Sequence, residues 1–378
     1  MNLWRTWREG QRFRRLPRLQ RRIVFYAEGA ADWPHLGPLV DHLVGPLGHH
    51  ISYLTSEADD PILARERSGV HSFYIGTGVV RTTLFKAIEA EAFVMTMPDL
   101  DMMFLRRSSR CAHYFYVFHA IMSTLAVYKN HAFDAYDTVC CVGPHHVEEI
   151  RATERVYALP PKRLVEHGYG RLDALMAAAR RSPRAASRPG PPHVLVAPTW
   201  GPSSIVATCL EDLLRRLLDA GMQVMLRLHT MTMRERPRLA ADLHRRFSSS
   251  PTLVVETDRG SEHSLIEADV MVSDWSGAAL EFAMALEKPV VSIDTPQKIR
   301  NPEASRTGLT ACDADLRPQL GAVVSPRRLE TLVPTIEDVI ERHRPERLRA
   351  LRKRYVFNVG SSASVGATVI AETIAKTP

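Results

Sequence analysis

The feature that most constrains this chain is a rhythm that runs through it twice. Short, continuous apolar runs, namely IVFYAE (23–28), HISYLTS (50–56), HSFYIG (71–76), AFVMTM (92–97), HYFYVFHA (113–120) and DTVCCVG (137–143), alternate with helical patterns such as Leu36 to Val44 and Pro144 to Arg155, and RLVEHGYG (163–170) closes this half. Strands apolar on both faces belong in parallel sheets covered by helices on each side, because only then does all of that surface leave water. RSPRAASRPGPP (181–192) has no apolar periodicity and reads as a linker. The rhythm then restarts with HVLVAPTW (193–200), the helix CLEDLLRRLLDAG (209–221) with its glycine stop, QVMLRLHT (223–230), TLVVET (252–257), DVMVSD (269–274), PVVSID (289–294) and GAVVS (321–325). Two doubly wound domains facing across a cleft are expected, over 23–180 and 193–355. A helical segment over 356–378 is a candidate for crossing back to the first domain.

Composition narrows the partners. The 378 residues are 45% hydrophobic and 24% charged, which suits a folded globular protein. The formal net charge of +7 favours anionic partners, among them nucleotides, phosphorylated lipids and membrane surfaces. No motif that reads DNA or RNA accompanies the basic residues, so nucleic acid is not expected as a partner. Five cysteines without regular spacing suit a reducing compartment, and no apolar run is long enough to span a membrane. A cytoplasmic location is the expectation, since no apolar signal-peptide core appears at the N-terminus. Residues 1–22 carry eight arginines interleaved with Trp4, Trp7, Phe13 and Leu16. This stretch reads either as a helix lying in a membrane interface or as a frayed basic tail, with Gly10 and Pro17 limiting any helix.

Ligands of open parallel sheets lie beyond the carboxyl ends of the strands, so strand-terminal polar residues are the informative ones. Thr199 follows the run from His193, Arg227 and His229 end QVMLRLHT, and Ser273, Asp274 and Ser276 follow DVMV. Together they describe an anion site: a cation, a histidine and a helix N-terminus at Ser276 and Gly277, with Glu281 one turn on and placed for sugar hydroxyls. A plain N-cap at Ser273 or Asp274 is the simpler alternative for that stretch taken alone. In the first half, His119 ends its strand and is the candidate general base, against the commoner role of a packed histidine. Arg171 and Asp173 of GYGRLD (168–173) hold either the domain junction or the nucleotide. GTGVVR (76–81) lacks the third glycine of a dinucleotide fingerprint. The pair in DLD (99–101) is read as an ordinary loop, His145-His146 with Glu148-Glu149 as a helix start, and Met95, Met97, Met102 and Met103 as gap-filling residues.

The order APTW, LRLH and DVMVSDWSGAALEFAMALEKPVV, with HGYGRLD upstream, resembles the CDP-glycerol glycerophosphotransferases of teichoic-acid and capsule synthesis, over roughly residues 113 to 300. The resemblance implies a GT-B fold and a transferase that takes a phosphoglycerol or related phospho-polyol unit from a CDP-activated donor. The acceptor it implies is a hydroxyl of a lipid-linked or glycan molecule. It makes His119 and His229 the catalytic histidines, with Ser276, Gly277 and Glu281 around the donor and Arg171 and Asp173 in the family's turn. It implies no metal and no other cofactor, and an enzyme held on the inner face of the cell membrane. The chain departs from the family pattern in several places. Gly277 replaces a second serine, Thr230 and Gly170 replace prolines, IMSTLAVYK stands where a threonine-proline-leucine-lysine usually follows the first histidine, and SSASVG lacks an arginine. A GT-B glycosyltransferase, a GT-B-like sugar-nucleotide epimerase and a non-enzymatic nucleotide-binding scaffold remain open alternatives.

Overall fold

The structure, a computed structural model, describes residues 3–376 apart from 103–104, 183–189, 249, 257–261 and 298. Most of the expected linker, together with Met103 and Thr257, lies outside the described residues.

Two all-parallel sheets account for the two rhythms. The first holds seven strands, β1 (Ile23–Ala27), β2 (Ile51–Thr55), β3 (Val70–Tyr74), β4 (Ala90–Met95), β5 (Cys111–Val117), β6 (Thr138–Cys141) and β7 (Arg163–Glu166), in the order β3-β2-β1-β4-β5-β6-β7. The second holds six, β8 (His193–Val196), β9 (Gln223–Leu226), β10 (Leu253–Val255), β11 (Val270–Ser273), β12 (Val290–Ile293) and β13 (Gly321–Val324), in the order β10-β9-β8-β11-β12-β13. The order reverses beside the first strand of each sheet, which is where a doubly wound sheet opens a crevice. β1, β2, β4 and β6 are buried along their whole length, as apolar runs covered on both faces must be. Several strands stop short of the apolar run that announced them: β5 ends at Val117, β8 at Val196 and β9 at Leu226. The residues left over include His119, Thr199, Trp200 and His229, which are not buried, and Phe118, Ala197, Arg227 and Leu228, which are.

Two segments outside the sheets fasten both ends of the chain to the first domain. Leu3–Arg14 is a helix that runs straight through Gly10. Its inner face buries Thr6, Glu9 and Phe13, and Phe13 meets Phe73 of β3 edge-on at 5.7 Å. That docking offsets the roughly 1 kcal/mol that a helical glycine costs. The chain also returns to the first domain at its end. The helix Ser362–Ala375 buries Ala367, Ile370 and Ile374 against Leu36, Leu39 and Val40 of the helix Trp33–Val44. The approach depends on two glycines. A Cβ on Gly143 would lie 1.8 Å from the Tyr355 carbonyl oxygen, and one on Gly168 (φ +96°) 2.4 Å from that of Phe357. Phe357 N–H closes the contact by donating to the Val142 carbonyl at 2.9 Å.

Candidate active site

Because both sheets are parallel, each presents its carboxyl-terminal strand ends on one side, and side chains following β1, β4, β5, β8, β9 and β11 gather at those ends. The domains are bolted together beside them. Tyr169 donates its hydroxyl to Glu281 at 2.7 Å, and Arg171 pairs with Glu262 at 3.1 Å and with Glu281 at 3.5 Å. Burial, and then the Glu281 carboxylate, hold the Tyr169 hydroxyl well above its usual pKa, so it stays a donor.

His119 stands on the first wall, exposed at its surface. Its Nδ1 lies 2.9 Å from the Thr96 carbonyl oxygen. A carbonyl only accepts, so Nδ1 carries the proton and Nε2 of the neutral ring presents a lone pair. Thr96 is held in turn: its hydroxyl donates to Asp32 Oδ1 at 2.8 Å, and the other Asp32 oxygen accepts Glu28 N–H at 2.7 Å. Glu28 ends β1. Burial and then Asp32 push its carboxyl above the usual carboxylate range, while Arg81, His119 and Arg234 pull the other way. Arg234 belongs to the second domain, so this carboxyl senses both walls. His35 sits behind, its ring 6.3 Å from that of His119 and 5.5 Å from that of Tyr169. Desolvation in its part-buried position, helped by His119 and Arg171, drives its pKa well down and keeps it neutral.

His229 stands on the second wall, half-buried, as the N-cap of the helix Thr230–Glu235. Its Nδ1 accepts the Met231 N–H at 3.1 Å, which places the neutral ring's proton on Nε2. Trp200, two residues beyond Pro198, lies with its ring 6.1 Å from the imidazole. Nearby, Ser276 caps the helix Gly277–Leu286, its hydroxyl oxygen accepting Ala278 N–H at 3.3 Å. Trp275 is anchored by donation to the Thr295 carbonyl at 2.6 Å and lies under the Arg317 guanidinium at 4.0 Å. The start of this helix faces the first domain. A Cβ on Gly277 would meet Met122 Cγ and Sδ at 3.6 Å, an ordinary contact distance.

Other nominated residues have protein partners. Ser273 is buried and donates to the Ala197 carbonyl at 2.6 Å. Asp274, also buried, accepts the N–H groups of Thr199 and Ile205 at 2.7 and 2.8 Å, so it shapes the loop carrying Thr199 and Trp200. Arg227 is buried against Glu256 at 3.0 Å and Ser264 at 3.1 Å. Asp173 accepts from Gly360 N–H at 2.6 Å and from the Ser362 hydroxyl at 2.5 Å, tying GYGRLD to SSASVG. Asp99 and Asp101 lie in a tight turn with φ of 66° at both, and Asp101 accepts Arg107 N–H. Among the described residues no group of three or more His, Cys, Asp or Glu is disposed to hold a metal ion.

Sequence reasoning passed over Glu28, Asp32, His35 and Tyr169, and took His145 and His146 for a helix start alone. They do open the helix Pro144–Val156, and they also pin the loop that carries Met122: their Nε2 atoms donate to the carbonyls of Ile121 and Met122 at 3.1 and 2.9 Å. Glu149 holds the same loop through the Ser123 hydroxyl and the Thr124 N–H, each at 2.6 Å. Asp313 of the second domain accepts Ser123 N–H at 3.1 Å. The available signal was AEGAAD directly after the first strand, a strand-terminal position like those that were chosen.

The model of one family, CDP-glycerol:poly(glycerophosphate) glycerophosphotransferase, matches residues 128–297. No curated protein matches the sequence. Among solved structures, the wall teichoic acid polymerase TagF soaked with CDPG is similar at a TM-score of 0.64 and 14% identity, covering 99% of this chain and 94% of its own. The Methanocaldococcus jannaschii UDP-GlcNAc 2-epimerase in complex with UDP-GlcNAc and UDP is similar at 0.59 and 11% identity, over 93% of this chain and 99% of its own. WaaG, a glycosyltransferase involved in lipopolysaccharide biosynthesis, is similar at 0.53 and 13% identity, over 92% and 99%. At such identities these structures speak for the fold: two Rossmann-like domains in the GT-B arrangement. In sequence over residues 128–297 the chain resembles the CDP-glycerol glycerophosphotransferases, and by that resemblance it is a transferase of GT-B architecture.

Proposed function

We propose that this protein transfers a phosphoglycerol, or a related phospho-polyol unit, from a CDP-activated donor to a hydroxyl of a lipid-linked or glycan acceptor in cell-surface polymer synthesis. The observation that carries the reading is the opposite tautomers of the two histidines. His119 offers a lone pair at Nε2 and suits a base; His229 offers a proton at Nε2 and suits a phosphate oxygen. The acceptor oxygen attacks the phosphorus that bears glycerol, a new P–O bond forms, the bond to CMP breaks, and His119 Nε2 takes the hydroxyl proton. His229 and the helix start at Ser276 and Gly277 stabilise charge on the phosphates, the donor phosphate competing for the long Ser276–Ala278 bond. Thr199 and Trp200 line the approach to His229. Arg227, Ser273, Asp274, Glu281, Arg171 and Asp173 serve the same donor site by holding its walls in register, and Glu281 keeps the position nearest a ribose.

Membrane contact belongs to the same proposal. No helix among the described residues is long and apolar enough to cross a membrane. Trp4 and Trp7, at 64% and 58% exposure, project from the docked N-terminal helix beside Arg5, Arg8 and Arg12, which suits an anionic interface.

The test is product analysis. Purified protein is incubated with CDP-glycerol, UDP-sugars and GDP-sugars, each with and without a polyol-phosphate acceptor, and with and without EDTA. Acceptor-dependent CMP release that persists in EDTA is expected. UDP or GDP release instead identifies a glycosyltransferase, and nucleotide binding without turnover identifies a scaffold.

A further inference from the structure

Opposite the cleft, at the amino-terminal ends of β12 and β13, the chain reads ERHRPERLRALRKRY (341–355). The helix Pro345–Tyr355 divides its arginines into two kinds. Arg349 and Arg352 are neutralised by one carboxylate, pairing with Glu287 at 2.7 and 2.9 Å. Arg344, Arg347 and Arg354 are different. They are exposed, they line a groove of about 690 Å³, and among the described residues none of them pairs with a carboxylate. The one acid lining the groove, Asp338, is taken by Arg342 at 2.8 Å. Arg347 and Arg354 are seven residues apart, so they project from one helix face about 10 Å apart along its axis, with Arg344 just before the helix.

Three guanidiniums around one concavity repel each other and draw in an anion. Their planar, forked donors match the oxygens of a phosphate better than a compact chloride or a lone carboxylate. The rest of the wall is largely apolar, with Leu320, Val339, Leu348 and Leu351 among the lining residues. Arginines at the rim over an aliphatic wall fit a phosphate attached to an apolar stem.

We propose that this groove is a second anion site, separate from the cleft, that takes a phosphate carried on an apolar stem, as in an anionic phospholipid. The site stands independently of the transferase reading, since none of its residues faces the cleft. It also separates two ways of meeting a membrane: the tryptophan-bearing N-terminal helix, and a headgroup pocket on the other domain.

The experiment is titration calorimetry on the full chain with short-chain phosphatidylglycerol as a soluble monomer, and separately with inorganic phosphate. The combined variant Arg344→Gln, Arg347→Gln, Arg354→Gln is expected to lose about tenfold or more in affinity for the lipid. Trp4→Ala with Trp7→Ala should bind the monomeric lipid as the wild type does. If the wild type binds inorganic phosphate equally well and the arginine variant loses both, the site is confirmed with free phosphate as its natural source. The proposal is overturned if the wild type binds neither probe, or if the arginine variant binds both with unchanged affinity and an unchanged circular-dichroism spectrum.

Discussion

The two walls of the cleft each hold a histidine, and they hold it in opposite ways. On the first wall a strand-end carbonyl, steadied by Asp32, takes the Nδ1 proton of His119, and the Glu28 carboxyl interacts with the ring. On the second wall a helix N–H gives its proton to Nδ1 of His229, beside Trp200 and close to a helix start. In the proposed mechanism one residue type serves two tasks, distinguished by the polarity of its backbone partner. A base benefits from a nearby carboxyl such as Glu28, which stabilises the imidazolium it becomes.

Substitutions that erase one wall at a time break this comparison most severely. His119→Ala should lower kcat by roughly a thousandfold, within the usual range for a general base, with donor affinity kept. Full turnover in that variant would remove the base assignment. His229→Ala should cost about a hundredfold and weaken donor binding as well, because its proton meets the phosphates in ground and transition states alike. Equal losses in kcat alone for both variants would abolish the distinction between the walls. Asp32→Asn probes the arrangement more gently. It leaves His119 in place and loosens Thr96, so kcat should fall roughly tenfold with little change in KM. Thr96→Val should behave alike and Thr96→Ser should restore most of the rate, a rescue that general damage to the fold would not give.

The walls meet at the Ser123 turn, and pH should loosen that meeting. Burial raises Glu149 to about 7 and Asp313 to about 6 from usual values of 4.5 and 3.8. The folded protein therefore keeps protons that the unfolded chain has lost. The stability they contribute is complete below about pH 4 and disappears as pH rises through 6 to 7, by at most about 1.4 kcal/mol per pH unit for each group. Thermal midpoints should fall from about pH 4 to about pH 7 and level off above. Asp313→Asn, which keeps an acceptor for Ser123 N–H, should flatten that fall, and an unchanged slope would exclude Asp313 as a source.

How far the sequence reaches differs between fold and site. Parallel strands buried on both faces are written as unbroken apolar runs, so both sheets could be read directly, and the two histidines followed from their place at strand ends. The partners could not be read. Tyr169 and Glu281 are 112 residues apart, Thr96 and Asp32 64 apart, and no local pattern links them. Asp274 illustrates the difficulty: a strand-terminal acid just before a helix looks like a ligand contact, yet its two oxygens are taken by the backbone of a neighbouring loop. Gly10 does not stop its helix, since propensity yields where a helix face is buried on a domain. Likewise Gly168, in a stretch chosen for its likeness to a family motif, has a reason of its own: the returning chain passes where its side chain would be.

The smallest predicted effect concerns Gly277, where two departures from the family pattern meet. The segment IMST follows His119, and its Met122 lies against Gly277, where the pattern of the family that the chain resembles has a serine. His145, His146, Glu149 and Asp313 all restrain the loop carrying Met122, so the loop has little freedom to move aside. A serine Cβ would nevertheless fit, since 3.6 Å is an ordinary contact. Gly277→Ser should therefore fold normally and regain one side-chain hydrogen bond to a donor phosphate, worth about 1 kcal/mol, or roughly fivefold in donor KM, at unchanged kcat. Met122→Ala should not reproduce it, because removing the thioether adds space without adding a donor. If Met122→Ala lowers the donor KM as much as Gly277→Ser does, steric closure by the first domain, and not the missing hydroxyl, sets how tightly the second wall holds its phosphate.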